Sequence, residues 1–307
     1  MIELDQLAAL DCALWLGSGT AAAQLLHVNQ STVSRQVRSV LALMDLHLDP
    51  QQGFPQVWGN SSLLLAERQV HQLARLKGFA PLRVAANYAS GPWFLRDLPE
   101  GWVTGSFDLP GKERPLQLLH DRVIDAWLCN YQPDLPDPDH PDWWVLDLLQ
   151  APLQLLAAPD HPLAGERRPS RGDLERFPSL GLPSGWFPRT EACLRDQGLW
   201  RAPVEIHRYD PASWEGRCSD GVTLSYGQSL TEVLQPVTVR LDVDLGLVAG
   251  DALVVRRDLI SRPAIQQLVE LLLARARVIA ARFDDVEVPG SGPSAVLALP
   301  GGAVLQR

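Results

Sequence analysis

Two short helical segments, joined by about four residues, lie near the N-terminus of the chain. Residues 21–27 begin with three alanines, and the segment that follows has an apolar helical face made of Val33, Val37, Val40, Leu41 and Met44. Thr20 and Ser31 stand where a hydroxyl can accept hydrogen bonds from free backbone N–H groups, so both are expected N-caps. Together with an amphipathic helix over residues 3–16, the pattern predicts three helices around one small core.

The tight connection makes the second and third helices a helix-turn-helix, a motif whose second helix fits the major groove of DNA. Amide, hydroxyl and guanidinium groups near the start of that helix can pair with base edges and phosphates. The candidate DNA contacts are Thr20, Gln30, Ser31, Thr32, Ser34, Arg35 and Arg38. The same pattern also fits a three-helix bundle whose polar face binds nothing, and the spacing alone leaves that alternative open.

The charge of the chain sets a condition on DNA binding. The formal net charge is −9, and residues 1–60 contain two basic side chains, Arg35 and Arg38, against five acids. Because phosphate neutralisation supplies most of the non-specific affinity, one copy alone is expected to bind DNA weakly. Binding would then depend on dimerisation, on helix N-termini and on the nearby basic residues Arg68, Arg75 and Lys77.

The cysteines and the N-terminus indicate a cytoplasmic protein. The four cysteines are far apart and have no metal-ligand spacing, which is typical of buried thiols in a reducing compartment: Cys12, Cys129, Cys193 and Cys218. The first residues lack the basic start of a signal peptide, and no run reaches the roughly eighteen apolar residues of a membrane span. The sequence therefore predicts a cytoplasmic location, with no metal and no cofactor.

The N-terminal motif resembles that of the LysR-type transcriptional regulators. The family pattern is Ser-x-Thr-x-Ala-Ala, a Leu, and then Gln-[Ser/Pro]-x-x-Ser-Arg-Gln-[Ile/Val]. It is matched in register by residues 18–23, by Leu25 and by residues 30–37. Thinner matches continue through LRVAANYAS, HDRVIDAWLCN and APDHPLA, so the resemblance covers roughly residues 2–285.

This resemblance implies an α/β multidomain protein: a winged helix-turn-helix, a linker helix, and an effector-binding module of two α/β subdomains like a periplasmic binding protein. The expected boundaries are 1–59, 60–79, 80–152 completed by 252–285, 153–251, and a flexible tail over 286–307. After the recognition helix the chain departs from the family, because Asp45 and Leu48-Asp49-Pro50 replace a usual Gly and Leu-Phe-x-Arg. The wing is therefore expected to be remodelled.

A candidate dimerisation stripe lies within residues 61–77. Alternating spacings of three and four residues, suited to a short coiled coil, separate Leu63, Ala66, Val70 and Leu73. Packing of the stripe against its own domain is the alternative. The family resemblance implies the dimer, or a tetramer built from dimers, since the linker helices of the family pair and set the distance between two recognition helices.

From Pro81 onward strands alternate with helices, a pattern that predicts parallel sheets. Ser90 follows the first strand, at the sheet edge where loops and helix N-termini bind ligands, anions in particular. The resemblance implies a small organic effector between two subdomains, with crossing strands near 151–157 and 250–255. Candidate contacts on the far wall, each of which could instead be a surface or packing residue, are Ser184, Tyr209, Thr223 and Ser225.

Enzyme motifs are missing from the sequence, which has no nucleophile elbow, dinucleotide-binding glycine motif, P-loop or zinc-protease motif. One cluster of possible metal ligands is interspersed with prolines: Asp134, Asp137, Asp139, His140 and Asp142. The prolines favour an extended solvated loop over a metal site. The sequence thus predicts a LysR-type regulator that binds double-stranded promoter DNA and senses a small molecule. The alternative is a degenerate relative that binds a small molecule or a protein, with weak or no DNA binding.

Overall fold

The computed structural model describes residues 2–49, 54–107, 111–183, 185–199, 215–230 and 237–289. Its α-helices are α1 (Leu4–Leu16), α2 (Gly19–Leu25), α3 (Gln30–Leu43), α4 (Ser62–Leu76), α5 (Gly91–Phe94), α6 (Glu113–His120), α7 (Arg171–Leu174), α8 (Pro188–Asp196) and α9 (Pro263–Ala280). Its strands are β1 (His47–Asp49), β2 (Gln56–Trp58), β3 (Leu82–Ala86), β4 (Trp102–Thr104), β5 (Ala126–Cys129), β6 (Trp143–Pro152), β7 (Gln154–Ala157), β8 (Ser225–Gly227), β9 (Val239–Arg240) and β10 (Val248–Arg256). Within these ranges no helix is long and apolar enough to cross a membrane.

The first three helices pack around one apolar core, as the sequence predicts. Side chains from all three helices meet there, among them Leu7, Leu10, Ala22, Val33 and Val37. The end of α4 that carries Leu64 closes the same core. The helix-turn-helix therefore rests on α1 and on the start of α4.

Both predicted N-caps are wrong. The cap of α2 is Ser18, whose Oγ accepts a hydrogen bond from Ala21 N at 3.3 Å, so Thr20 lies inside the helix. The helix α3 follows Asn29, and Ser31 lies within its first turn. Residue preferences cannot distinguish hydroxyls one or two positions apart, because the cap is fixed by where the backbone leaves the helical conformation.

A wing is present, as a short hairpin. The strands β1 and β2 pair antiparallel, with His47 opposite Trp58. Gly59 follows β2 at the open end of the hairpin, at a φ of +119°, where a Cβ atom would lie 2.8 Å from the Leu46 side chain. The departures from the family pattern thus change the residues of the wing while the pair of strands remains, and the tip at residues 50–53 lies outside the described chain.

Two sheets follow α4. The first has the order β4-β3-β5-β10-β6, in which β3 runs parallel to β4 and β5 while β10 runs antiparallel to β5 and β6. The second has the order β8-β7-β9 and is antiparallel throughout. The prediction of parallel sheets therefore holds only for β3, β4 and β5. The chain leaves the first sheet at the end of β6 and comes back into it from the second sheet along β10. The two strands therefore run in opposite directions.

The chain passes between the two sheets at two adjacent points. The strand β6 ends at Pro152, β7 begins at Gln154, and Leu153 N donates to Leu247 O at 2.8 Å. The first crossing lies where the sequence predicts it. The second lies near Leu247, and its prediction at 250–255 is wrong, because β10 pairs with β6 along its whole length. We call the first sheet with α5, α6 and α9 the first module, and the second sheet with α7 and α8 the second module.

Buried ion pairs join α1 and α4 to the first module. Asp125, directly before β5, accepts hydrogen bonds from Arg75 Nε and from the backbone N of Arg83, both at 2.9 Å. Asp11 in α1 accepts from Arg68 Nε at 2.8 Å and pairs with Arg83 Nη1 at 3.4 Å. All five side chains are buried, so these charges compensate one another away from water.

The ion pairs overturn one sequence interpretation. Arg68 and Arg75 cannot serve as the predicted phosphate contacts, because both guanidinium groups are buried on carboxylates. Arg114 of α6 also points inward, where it donates to Leu14 O at 2.6 Å and to Pro55 O at 3.3 Å. Among these basic residues only Lys77, at the end of α4, is exposed.

The Asp125→Ala substitution tests the buried network. It leaves the Arg75 guanidinium buried without its carboxylate, so we expect the free energy of unfolding in urea to fall by about 3–5 kcal/mol. The control is Arg171→Ala, which removes the exposed pair with Glu175 and should cost less than about 1 kcal/mol. Equal losses in the two variants would contradict the role given to the network.

Candidate DNA-binding and effector-binding sites

The helix α3 presents a polar face to the surface. Its apolar side packs inward through Val33, Val37 and Val40. Of the predicted DNA contacts, Thr32 and Ser34 are partly buried, and the exposed ones are Thr20, Gln30, Ser31, Arg35 and Arg38. The exposed predicted contacts of α3 therefore lie in its first turn, at Gln30 and Ser31, and on its solvent-facing side, at Arg35 and Arg38.

Local hydrogen bonds hold part of this face in place. Gln30 Nε2 donates to Ser34 Oγ at 3.0 Å, and Arg38 Nε donates to Ser34 O at 3.1 Å. Within the described part of the chain, the Arg35 side chain makes no hydrogen bond or ion pair. Arg35 is therefore the one predicted guanidinium whose donors are all available to a partner.

Acidic side chains lie close to the polar face. Asp5 of α1 is exposed, and its Oδ2 accepts a hydrogen bond from Gln36 Nε2 at 2.9 Å. This contact ties α1 to the recognition helix and also places a negative charge beside it. With Arg68, Arg75 and Arg114 turned inward, the positive charge available to phosphates near α3 is small.

The helix α4 turns its apolar stripe outward. Leu63, Val70 and Leu73 are 67%, 56% and 42% exposed, and Ala66 is exposed with them. The stripe therefore does not pack against its own domain, the alternative that the sequence left open. A groove of about 490 Å³ extends the apolar surface; it is lined by Leu63, Ala66, Val70, Glu67, Ile2, Leu43 and Met44.

Ser90 lies at the carboxyl edge of the first sheet, after β3, and is buried. Its backbone N donates to Asn87 Oδ1 at 2.9 Å, and its hydroxyl donates to Asp251 Oδ1. Asp251 belongs to β10, at the point where the pairing with β6 shifts register. The predicted contact Ser90 thus meets a carboxylate close to the crossing between the two sheets.

The carboxyl group of Asp251 is buried without a cationic partner among the described residues. Burial raises the pKa of Asp251 from 3.8 to about 6, and the hydrogen bond from Ser90 opposes that shift. Burial also raises the pKa of Asp147 on β6, against the hydrogen bonds from Gln132 and Gln150. Two acids with raised pKa values therefore lie on the adjacent strands β6 and β10.

None of the described hydrogen bonds joins another predicted effector contact to Ser90. Ser184 and Tyr209 lie outside the described residues. Thr223 Oγ1 donates to Asp220 Oδ2 at 2.5 Å in a loop of the second module. Ser225 is buried on β8, and its Oγ has no hydrogen-bond partner within the described ranges.

Two contacts between the modules escaped the sequence analysis. Asp134, predicted to lie in a solvated loop, is buried and accepts hydrogen bonds at the start of α8, from Arg189 N at 2.6 Å and Thr190 Oγ1 at 2.7 Å. Tyr131 stacks on Phe187 with ring centroids 4.9 Å apart. Nothing local to Asp134 indicates a partner 55 residues away. Asp251 carried a readable signal, a single acid inside the apolar strand VAGDALVVR.

Residues 109–277, more than half of the chain, match the LysR substrate binding domain family. The chain belongs to the LysR family of transcriptional regulators. The match covers parts of both modules, so the region between the two sheets is that of a LysR-type effector-binding domain. The helix-turn-helix lies before the matched range. This order, a helix-turn-helix followed by an effector-binding domain, is the one that the N-terminal motif implied.

Known proteins resemble this LysR-type chain over most of its length. A probable nitrogen assimilation transcriptional activator from Synechococcus elongatus is 25% identical over 245 residues, which cover 73% of this chain and 78% of the relative. A full-length OxyR variant from Pseudomonas aeruginosa has a TM-score of 0.57 at 17% identity, covering 91% of this chain and 95% of OxyR. Full-length CbnR in complex with its target DNA has a TM-score of 0.54 at 18% identity, covering 90% of this chain and 100% of CbnR. The two solved structures share the fold of this chain, and the family match supports the regulator rather than the degenerate alternative.

The raised pKa of Asp251 predicts a pH dependence of stability. Between about pH 4 and pH 6 the unfolded chain loses this proton before the folded protein does, so the contribution of Asp251 to stability is lost as the pH rises. In Asp251→Asn this loss is absent. We expect the free energy of unfolding of the variant, relative to the unmodified protein, to rise by about 2–3 kcal/mol from pH 4 to pH 7.

Urea unfolding at a series of pH values measures this difference. A difference for Asp251→Asn that does not change with pH would show that this carboxyl group does not titrate in the stated range.

Proposed function

We propose that this LysR-type regulator reads promoter DNA with α3, pairs with a second copy through α4, and senses a small organic effector between its two modules. The observation that carries the proposal is the polar, outward face of α3 in a tight helix-turn-helix, with the Arg35 guanidinium unpaired within the described chain. The related regulator CbnR has been solved with its target DNA. The proposal assigns the chain no catalytic activity.

The chemistry of α3 suits the major groove. Arg35 can donate two hydrogen bonds to the O6 and N7 acceptors of a guanine, and Gln30 can pair with the N6 and N7 edge of an adenine. Ser31 and Thr32 carry hydroxyls in the first turn, beside backbone N–H groups that can contact phosphate. Base contacts rather than charge would supply most of the selectivity of one copy.

A second copy supplies what one copy lacks. Each helix-turn-helix brings few cations to DNA, so pairing two of them on one site would raise the affinity without new contacts. The outward stripe of Leu63, Ala66, Val70 and Leu73 offers the apolar surface for that pairing. In the resulting dimer the spacing of the two α3 helices sets the spacing of the two half-sites.

The effector would act at the crossing between the two modules. Ser90 and Asp251 lie on the first-module side, and Thr223 and Ser225 are the candidates on the second. Because Asp251 is a buried carboxyl group, the part of the effector that faces it would be a hydrogen-bond donor or a cation, rather than the anion favoured by the sequence. Binding that prefers one arrangement of the modules would shift the spacing of the paired recognition helices.

The Arg35→Ala substitution tests the recognition helix. Binding sites are first selected from genomic DNA by the purified protein at about 50 mM and about 200 mM salt, and affinity for the recovered site is then measured by fluorescence anisotropy. Loss of a bidentate base contact should weaken specific binding by about tenfold to a hundredfold. The control is Arg277→Ala, an exposed arginine on α9. Equal affinity of Arg35→Ala and the unmodified protein would show that α3 does not read the site.

A double substitution tests the pairing of α4. Leu63→Glu with Val70→Glu places two charges on the outward stripe and should shift the protein to monomers in sedimentation velocity. The control is Val222→Glu, which introduces the same charge at an exposed valine outside α4. A dimer that survives the double substitution would place the interface elsewhere.

A further inference from the structure

A groove of about 730 Å³ lies on the first module between α5 and α9. None of the residues assigned above to DNA, to the dimer or to the effector lines it. Ala89 and Pro92, on either side of Ser90 and Gly91 in the chain, line the groove, whereas Ser90 itself does not and donates its hydroxyl to Asp251. The groove therefore adjoins the Ser90 contact along the chain but does not include Ser90 or Asp251 in its lining.

Three arginines give the groove a positive charge, in a chain whose net charge is −9. Within the described chain, the Arg96 and Arg282 side chains are exposed and pair with no carboxylate. Arg275 donates to the backbone carbonyls of Phe94 and Asp97, the latter at 2.9 Å. Burial lowers the pKa of Arg275, with Asp97 opposing the shift, which indicates a partly dehydrated cation whose hydrogen bonds go to neutral carbonyls.

The rest of the wall is apolar. Trp93 lies along one side, held edge-on to Phe283 with ring centroids 6.1 Å apart. Val278 and Ile279 of α9 form the opposite side, and Val278 is 59% exposed. The groove therefore combines apolar side chains with guanidinium groups that pair with no carboxylate in the described chain.

We infer that this groove binds a small amphipathic organic anion, with one carboxylate at the arginines and an apolar body against Trp93 and Val278. Guanidinium groups match a carboxylate bidentately, and such pairs are shorter and stronger than neutral hydrogen bonds. The volume lies within the range of small-molecule sites. The only acid that lines the groove within the described chain is Asp97, against the three arginines, so the lining has a net positive charge and is complementary to an anion.

Titration calorimetry on the full chain tests the inference, with benzoate, 1-naphthoate and decanoate as probes and 1-naphthamide as the uncharged counterpart of 1-naphthoate. At least one acid should bind saturably with one site per chain, and the amide should bind much more weakly. Arg96→Ala combined with Arg282→Ala should weaken that acid by about tenfold to a hundredfold. Both substitutions are at exposed positions, and the matched control Arg277→Ala on α9 should leave the affinity unchanged.

Trp93→Phe supplies a second readout. It should abolish the quenching of tryptophan fluorescence by 1-naphthoate while calorimetric binding persists, because a phenyl ring keeps the apolar wall. The inference is overturned if no acid binds, or if binding survives the double arginine variant, which would place it elsewhere. It is also overturned if the double variant changes the oligomeric state instead of the affinity, because a second copy would then cover the groove. DNA binding enters none of these measurements, so their failure leaves the proposed function standing.

Discussion

The carboxylate of Asp125 is fully buried, and four hydrogen bonds satisfy it. Its oxygens accept from Gln72 Nε2, from Nε and Nη2 of Arg75, and from the backbone N of Arg83, each at 2.9 Å. Gln72 and Arg75 belong to α4, whereas Arg83 belongs to β3, so one side chain fixes the helix to the sheet. Because Arg83 also reaches Asp11, the same network extends to α1 and the helix-turn-helix. Removing one member leaves a buried charge unpaired, which makes the network cooperative.

This network explains why α4 is an inverted amphipathic helix. Its inner face carries Arg68, His71, Gln72 and Arg75, all buried, while Leu63, Val70 and Leu73 face outward. A helix of a single isolated domain normally buries its apolar side. The buried charges of this inner face are compensated by carboxylates from α1 and from the loop before β5, which lie opposite it. The outward apolar face then remains available to another surface, which is why the pairing of two copies was proposed for α4.

The periodicity of apolar residues was enough to predict much of the fold. It failed where the placement of a side chain or the direction of a strand depends on residues far away in the sequence. The three N-terminal helices and the first strands follow from apolar spacing, because each buried face is repeated locally. The inward turn of Arg68 could not be read from the sequence, since its partner Asp11 lies 57 residues earlier. The α8 contacts of Asp134 are hidden for the same reason. The direction of β10 depends on its return from the second sheet, which no local pattern encodes.

The candidate sites show the same division. Local residue types in α3 predicted an outward polar face, and that prediction needed only helical geometry. The effector contacts required knowledge of which loops meet: Ser90 meets Asp251, 161 residues later, and not Thr223 or Ser225 among the described hydrogen bonds. The DNA-contact, dimerisation and effector-contact residues stay predictions, because each needs a partner molecule to be tested.

Asp125 and Asp251 are both buried, but only Asp125 has a cationic partner among the described residues. Asp125 accepts hydrogen bonds from a guanidinium group, a side-chain amide and a backbone N–H group, which join α4 to the first sheet. Asp251 has the hydroxyl of Ser90 and no cation among the described residues, and burial raises its pKa to about 6. A ligand that donates a hydrogen bond or a positive charge to Asp251 would offset that desolvation and stabilise the arrangement of the modules in which it binds. On the proposed function, a shift of the modules near Leu247 would then be passed to α4 and the helix-turn-helix, because the Asp125 network joins both to the first sheet.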